Sequence, residues 1–234
     1  MRRFAISDMH GCALTFKALL DQLELSEGDQ LYLLGDYIDR GPDSKGVIDT
    51  IWELQERKIA VFCLKGNHED MLLKARYDFE QLQLWKVNGG IIAMESFGVS
   101  SPNEIGKKYW DFLESLEYYF EVDDYLFVHA GLNFDMPNPL DGKFGMLWIR
   151  NWYPDINYQW LGDRIIIHGH TPTQRKTILA DWENMEKNQF LNIDNGCFFN
   201  RQGDSFGHLC AFDLDTHDLI FQKNIDDMSK YFSN

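Results

Sequence analysis

Leu31-Tyr32-Leu33-Leu34-Gly35-Asp36-Tyr37-Ile38-Asp39-Arg40-Gly41 runs from four apolar residues straight into a charged loop. A short apolar run bounded by a turn residue reads as a buried strand. Gly35 lets the backbone pass closely, and Asp36 then stands at the strand's carboxyl end. The pattern recurs on both sides. Residues 3–7 read as a strand ending in Asp8-Met9-His10-Gly11, and residues 59–64 as one ending in Gly66-Asn67-His68-Glu69. Between them, residues 14–25 set Leu19, Leu20 and Leu23 on one side of a helix. Residues 44–57 turn Val47, Ile48, Ile51, Trp52 and Leu54 inward on a second. This β-α-β-α-β order predicts parallel strands with right-handed crossovers, and ligands gathered beyond the strands' carboxyl ends.

Outward from that unit, residues 69–121 read mostly as helix. Tyr109, Phe112, Leu113, Leu116 and Phe120 keep helical spacing there and are expected to be core packing. Strands return at residues 125–128, 165–167, 190–193, 209–214 and 219–223, with a hairpin turn at Leu214-Asp215-Thr216-His217-Asp218-Leu219. An α/β fold of two packed sheets with helices outside fits this order. The six prolines are scattered and no Gly/Ser tract divides the chain, so residues 1–234 read as one domain. A 44% hydrophobic share with 15% aromatics suffices for its core.

Twenty-two basic against 37 acidic side chains give a formal charge of -15. Such a surface repels nucleic acid and anionic membranes, which excludes a phosphate-backbone binder. Phe4-Ala5-Ile6 is too short for a signal-peptide core, and no run of about 18 apolar residues offers a membrane span. Cys12, Cys63, Cys197 and Cys210 form no C-x-x-C pair, which reads as reduced thiols in the cytoplasm. Oligomeric state has no signature in the chain.

Six polar clusters hold five of the seven histidines: the three above, His129-Ala130-Gly131, Trp148-Ile149-Arg150 and His168-Gly169-His170-Thr171. Asp8 and His10, two apart, project to one side if the chain is still extended there. One carboxylate such as Asp36 can bridge two cations about 3.5–4 Å apart. Arg40 offers a planar fork suited to phosphate oxygens. Taken singly, each has a plainer reading. Asp8 caps a helix, Asp39-Arg40 is a self-paired turn, Asn67 is a turn residue, and a histidine after a strand is structural. Nitrogen and oxygen ligands at several strand ends of one chain point instead to a metal centre that hydrolyses a phosphate ester.

This set resembles the phosphoprotein phosphatase family of calcineurin-like metallophosphoesterases, in particular the compact bacterial and phage-type Ser/Thr phosphatases. Its pattern G-D-x-H-G, G-D-x-x-D-R-G, G-N-H-E, H-A/G-G, Trp-x-Arg and G-H-T is met in order. The matching stretches are Ser7–Gly11, Gly35–Gly41, Gly66–Glu69, His129–Gly131, Trp148–Arg150 and Gly169-His170-Thr171-Pro172. Weaker likeness appears at Asn88-Gly89-Gly90, Glu95-Ser96-Phe97-Gly98 and Ile193-Asp194-Asn195-Gly196-Cys197. The resemblance implies a four-layer α/β/β/α sandwich. It places Asp8, His10 and Asp36 on one divalent metal and Asp36, Asn67, His129 and His170 on a second. The metals are expected to be manganese, with iron or zinc equally tolerant of these ligands. His68 becomes the proton donor, Asp39 its orienting carboxylate, and Arg40 and Arg150 the phosphate clamp, with His168 structural. The implied chemistry is in-line attack by a hydroxide between the metals, without a phosphoenzyme.

Ser7 replaces the family's usual Gly, and Asn195 stands where relatives often carry Thr, which leaves the ligands intact but alters the nearby substrate wall. The leading expectation is a serine/threonine protein phosphatase acting on phosphoproteins or small phosphoesters. The alternatives are a symmetrical dinucleoside polyphosphate hydrolase, such as one acting on diadenosine tetraphosphate, and an inactive module that docks phosphorylated partners.

Overall fold

The structure, a computed structural model, describes residues 1–199 and 203–229. Residues 200–202 and 230–234, part of the one-domain reading, lie outside the described residues. The elements begin β1 (Arg3–Ile6), α1 (Ala13–Leu23), β2 (Gln30–Leu33), α2 (Ser44–Glu56) and β3 (Ala60–Cys63). Helices α3 (Asn67–Ala75), α4 (Phe79–Trp85), α5 (Ile91–Phe97) and α6 (Lys107–Glu114) follow. Then come β4 (Tyr119–Val122), β5 (Tyr125–Val128), α7 (Lys143–Trp148), α8 (Tyr158–Leu161), β6 (Ile165–His168) and α9 (Arg175–Glu183). Strands β7 (Phe190–Asn192), β8 (His208–Asp213) and β9 (Leu219–Lys223) complete the sheets.

One sheet has the order β3-β2-β1-β8-β9 and the other β4-β5-β6-β7. Strands β1, β2 and β3 pair in parallel, with Phe4 opposite Leu31 and Leu31 opposite Val61. The β8–β9 hairpin adds antiparallel strands at the far side of β1. In the second sheet β4 pairs antiparallel with β5, while β5, β6 and β7 run parallel, so both sheets are mixed and the fold is α/β. Strand periodicity explains how they stack, because alternate side chains face opposite ways. Phe4, Ile6, Leu31 and Leu33 face α1 and α2, whereas Ala5, Tyr32 and Leu34 meet Tyr125, Phe127 and Ile167 of the other sheet. Tyr32 stacks on Phe127 across that seam, ring centroids 5.0 Å apart. Leu126, Val128 and Ile166 point outward to Trp152, Leu161 and Met146. Helices thus flank two face-packed sheets. No helix among the described residues is long and apolar enough to cross a membrane.

Two stretches depart from expectation. The helical stripe stops at Glu114, and Phe120 belongs to β4, opposite Phe127 of β5. Leu116 and Phe120 are four apart by coincidence; the Asp123-Asp124 turn, with Asp123 at φ +49°, lets residues 119–122 pair instead. Helix α9 was hidden from periodicity because Ile178 alone is buried along it.

Candidate metal centre

The carboxyl ends of both sheets converge. Asp8 lies just past β1, Asp36 past β2, Asn67 opens α3 after β3, His129 follows β5 and His170 lies past β6. All are buried. Asp8, His10, Asp36, Asp39, Arg40 and His170 also share a backbone of positive φ, from 43° to 71°. Non-glycine residues seldom adopt this region, and it persists only where surrounding structure over-determines it. Here the adjoining loops hold it: His10 N–H donates to the Asp36 carbonyl at 2.8 Å and Gly11 N–H to that of Tyr37 at 2.8 Å.

Two sets of ligand atoms gather within 4.8 Å of one another: His10, Asp36 and His68, and Asp36, His129 and His170. Asp36 belongs to both. Asn67 joins the second, its Oδ1 lying 3.0 Å from His129 Nε2 and 2.8 Å from His170 Nδ1. Asp8 is in neither set. Its carboxylate accepts the His170 N–H at 3.1 and 3.2 Å and the Ser7 hydroxyl. In its place the first set contains His68.

The ring tautomers follow from neighbouring carbonyls. His10 Nδ1–H donates to Ile38 O at 3.1 Å and His129 Nδ1–H to Leu34 O at 2.9 Å. A backbone carbonyl on one nitrogen leaves the other as a bare lone pair, the arrangement common behind metal-bound histidines. His129 Nε2 then faces Asp36 Oδ1 at 3.5 Å and His10 Nε2 faces Asp36 Oδ2 at 3.4 Å. Arg40 Nη1 donates to His10 Nε2 at 2.7 Å. Among the described residues, His68 Nε2 and His170 Nε2 are buried with no hydrogen-bond partner. Acceptors that face acceptors, and orphaned ring nitrogens, are costly unless a cation sits among them.

Protonation pushes the same way. Burial raises the carboxyl pKa of Asp8 and, well above the usual range, those of Asp36 and Asp194; for both of these the charge of Asp8 adds to the rise. Burial and then Arg40 hold the His10 and His68 imidazoles well below their ordinary value, and burial takes His170 to about 2. Divalent cations would reverse these penalties and use the bare lone pairs, so the donor set fits a metal centre.

Around it, His68 Nδ1 meets Asp39 Oδ2 at 2.7 Å. Arg150, exposed at the rim, donates to Thr171 Oγ1 at 3.2 Å. His168 has both nitrogens engaged, by Gly169 O at 3.0 Å and Tyr153 Oη at 3.1 Å, and does not face the cluster. Two contributors have no assigned role in the motif pattern. Trp85 donates to both Asp39 oxygens. The buried Glu69 carboxylate accepts N–H groups of Asp36 (2.9 Å), Tyr37 (2.8 Å) and Gly66 (2.9 Å), tying two ligand loops together. Glu69→Gln, whose amide nitrogen cannot accept, is expected to orphan N–H groups and cost about 2–4 kcal/mol. Thermal unfolding of the two proteins measures that loss.

The family model for calcineurin-like phosphoesterases matches residues 1–204. The asymmetrical bis(5'-nucleosyl)-tetraphosphatase PrpE of Geobacillus thermodenitrificans is 27% identical over 224 residues, covering 83% of this chain and 85% of its own. The symmetrical bis(5'-nucleosyl)-tetraphosphatase of Nitrosomonas europaea is 32% identical over 142 residues, 59% of this chain and 46% of its own. A solved protein serine/threonine phosphatase from Saccharomyces cerevisiae shares the fold, with TM-score 0.62 at 17% identity, covering 94% of this chain and 78% of its own. With strand-end ligands, order of motifs and family match in accord, the chain belongs to the calcineurin-like phosphoesterases.

Proposed function

We propose that this chain is a two-metal hydrolase of dinucleoside polyphosphates, cutting asymmetrically, and that residues 1–234 act as one metallophosphoesterase domain. The shared position of Asp36 between two sets of inward-facing ligands carries the two-metal part. The nearly full-length match to an asymmetrical tetraphosphatase supports the substrate over the protein-phosphatase expectation. Asp8, His10 and Asp36 would hold one cation, and Asp36, Asn67, His129 and His170 the other, with manganese the first metal to try. Such cations supply the charge that activates water at neutral pH and offsets charge on phosphoryl oxygens.

The protein's own groups do the rest. Arg40 and Arg150 bind the phosphoryl oxygens with planar forks. His68, held at Nδ1 by Asp39, presents Nε2 to the leaving oxygen; it takes up a second proton there from water, as the imidazolium that Asp39 and a bound phosphoryl charge favour, gives that proton to the leaving oxygen and returns to the neutral ring. Along α7 a groove of about 520 Å³ opens, lined by Asn133, Met136, Lys143, Phe144 and Ile149. Phe144 is 75% exposed, and Trp148 stacks on it with centroids 6.4 Å apart. A nucleoside bonded through its phosphates to the centre would have an aromatic face to lie against.

With manganese, diadenosine tetraphosphate should yield AMP and ATP. Two ADP would move the assignment to symmetrical cleavage. A preference for a phosphoserine peptide would restore the protein phosphatase, which the stretch from His129-Ala130-Gly131-Leu132 to Trp148-Ile149-Arg150 favours. Inertness toward these and p-nitrophenyl phosphate would leave a docking module. Phe144→Ala is expected to raise KM for the dinucleotide about tenfold, the worth of one stacked base, while p-nitrophenyl phosphate changes less than about twofold. Steady-state kinetics on both substrates decides it.

A further inference from the structure

Asn88-Gly89-Gly90 matches the family's motifs weakly, and the metal centre leaves it without a task. In the structure it lies in the turn Lys86–Gly90, where Gly89 leaves helical geometry and kinks the chain between α4 and α5. Trp85 ends α4 immediately before it and is fully buried. Its indole N–H donates to Asp39 Oδ1 at 3.0 Å and Oδ2 at 2.9 Å. Both glycines are needed to close the turn. At Gly89, with φ +117°, a Cβ would lie 2.6 Å from Arg40 N and 3.0 Å from Asp39 Cβ. At Gly90 a Cβ would land on the Trp85 indole. The turn therefore presses on the Asp39-Arg40 backbone from one side and seats the indole against the Asp39 carboxylate from the other.

We infer that Trp85, clamped by the Gly89-Gly90 turn, is a positioning residue that aims the Asp39–His68 pair at the leaving group. Asp39 Oδ2 serves both partners, taking Trp85 N–H at 2.9 Å and His68 Nδ1–H at 2.7 Å. With one fork already held, the carboxylate cannot turn away from the imidazole. Burial and then the carboxylates of Glu69 and Asp36 push the Asp39 carboxyl well above the usual range, and Trp85 is the foremost group opposing them. The ring nitrogen of His68 aimed at the site is thereby fixed in direction. The inference rests on the reading of His68 as proton donor.

Trp85→Phe keeps an aromatic ring in the site and removes the N–H. Hydrolysis of phenyl phosphate, whose leaving phenol has a pKa of about 10 like tyrosine, should slow about tenfold, a typical cost of losing an orienting partner. p-Nitrophenyl phosphate needs little help from an acid and should slow less than about twofold. Metal content and melting temperature serve as controls on folding. In a His68→Asn background the Trp85 substitution should have no further effect, because the groups act in series. Gly90→Ala, which displaces the indole without removing it, should reproduce the leaving-group dependence. Equal slowing on both esters, or additive losses in the double variant, would overturn the link while His68 keeps its role. A flat response of His68→Asn itself would overturn the donor reading, and this inference with it.

Discussion

Asp36→Asn is expected to abolish metal binding and activity together. Asp36 Oδ1 lies 3.5 Å from His129 Nε2 and Oδ2 lies 3.4 Å from His10 Nε2, so one carboxylate serves both ligand sets. An amide keeps the shape but has one acceptor oxygen and no charge. The buried cluster would then hold two cations with one fewer negative charge and one side of its bridge turned into a donor. Turnover should fall by about 10³-fold or more, as when a member of a unit acting together is removed. Elemental analysis of purified protein should fall well short of two ions per chain. Full occupancy in this variant would refute the bridging role, whatever happened to the rate.

His68→Asn separates a ligand from a proton donor. His68 gathers with His10 and Asp36 within metal-binding distance, yet its Nδ1 is committed to Asp39 and its Nε2 is bare. As a donor it should leave metal content near two ions while slowing phenyl phosphate hydrolysis by about 10²–10⁴-fold, the usual worth of general acid catalysis. Loss on p-nitrophenyl phosphate should be far smaller. A missing ion would make it a ligand instead, and equal slowing of the two esters would end its role as acid.

Much of this site was legible because its chemistry is carried by local signals. An apolar run followed by Gly-Asp, or by Asn-His, marks a strand end and its ligand within a few residues, and β1, β2 and β3 appear where those signals stand. Residues 119–122 were harder. Phe120 sits at a helical interval from Leu116, and its pairing with Phe127 becomes favourable only once β5 is beside it. The function needed more than motifs. The protein-phosphatase and dinucleoside tetraphosphatase readings rest on nearly the same motifs, and the groove beside Phe144 that would tell their substrates apart forms only where the loop carrying Asn133 and Met136 folds back against α7.

The chain by itself determined which residue types stand at strand ends, and with them the class of chemistry, because strand periodicity and turn chemistry act over a few residues. Tertiary structure alone decided which atoms meet. Glu69 reaching back to Asp36 and Tyr37, Trp85 gripping Asp39 from 46 positions away, and Asp8 turned toward His170 are contacts between distant segments. They exist because burial strips away water and obliges each polar group to find its partner across space rather than along the chain.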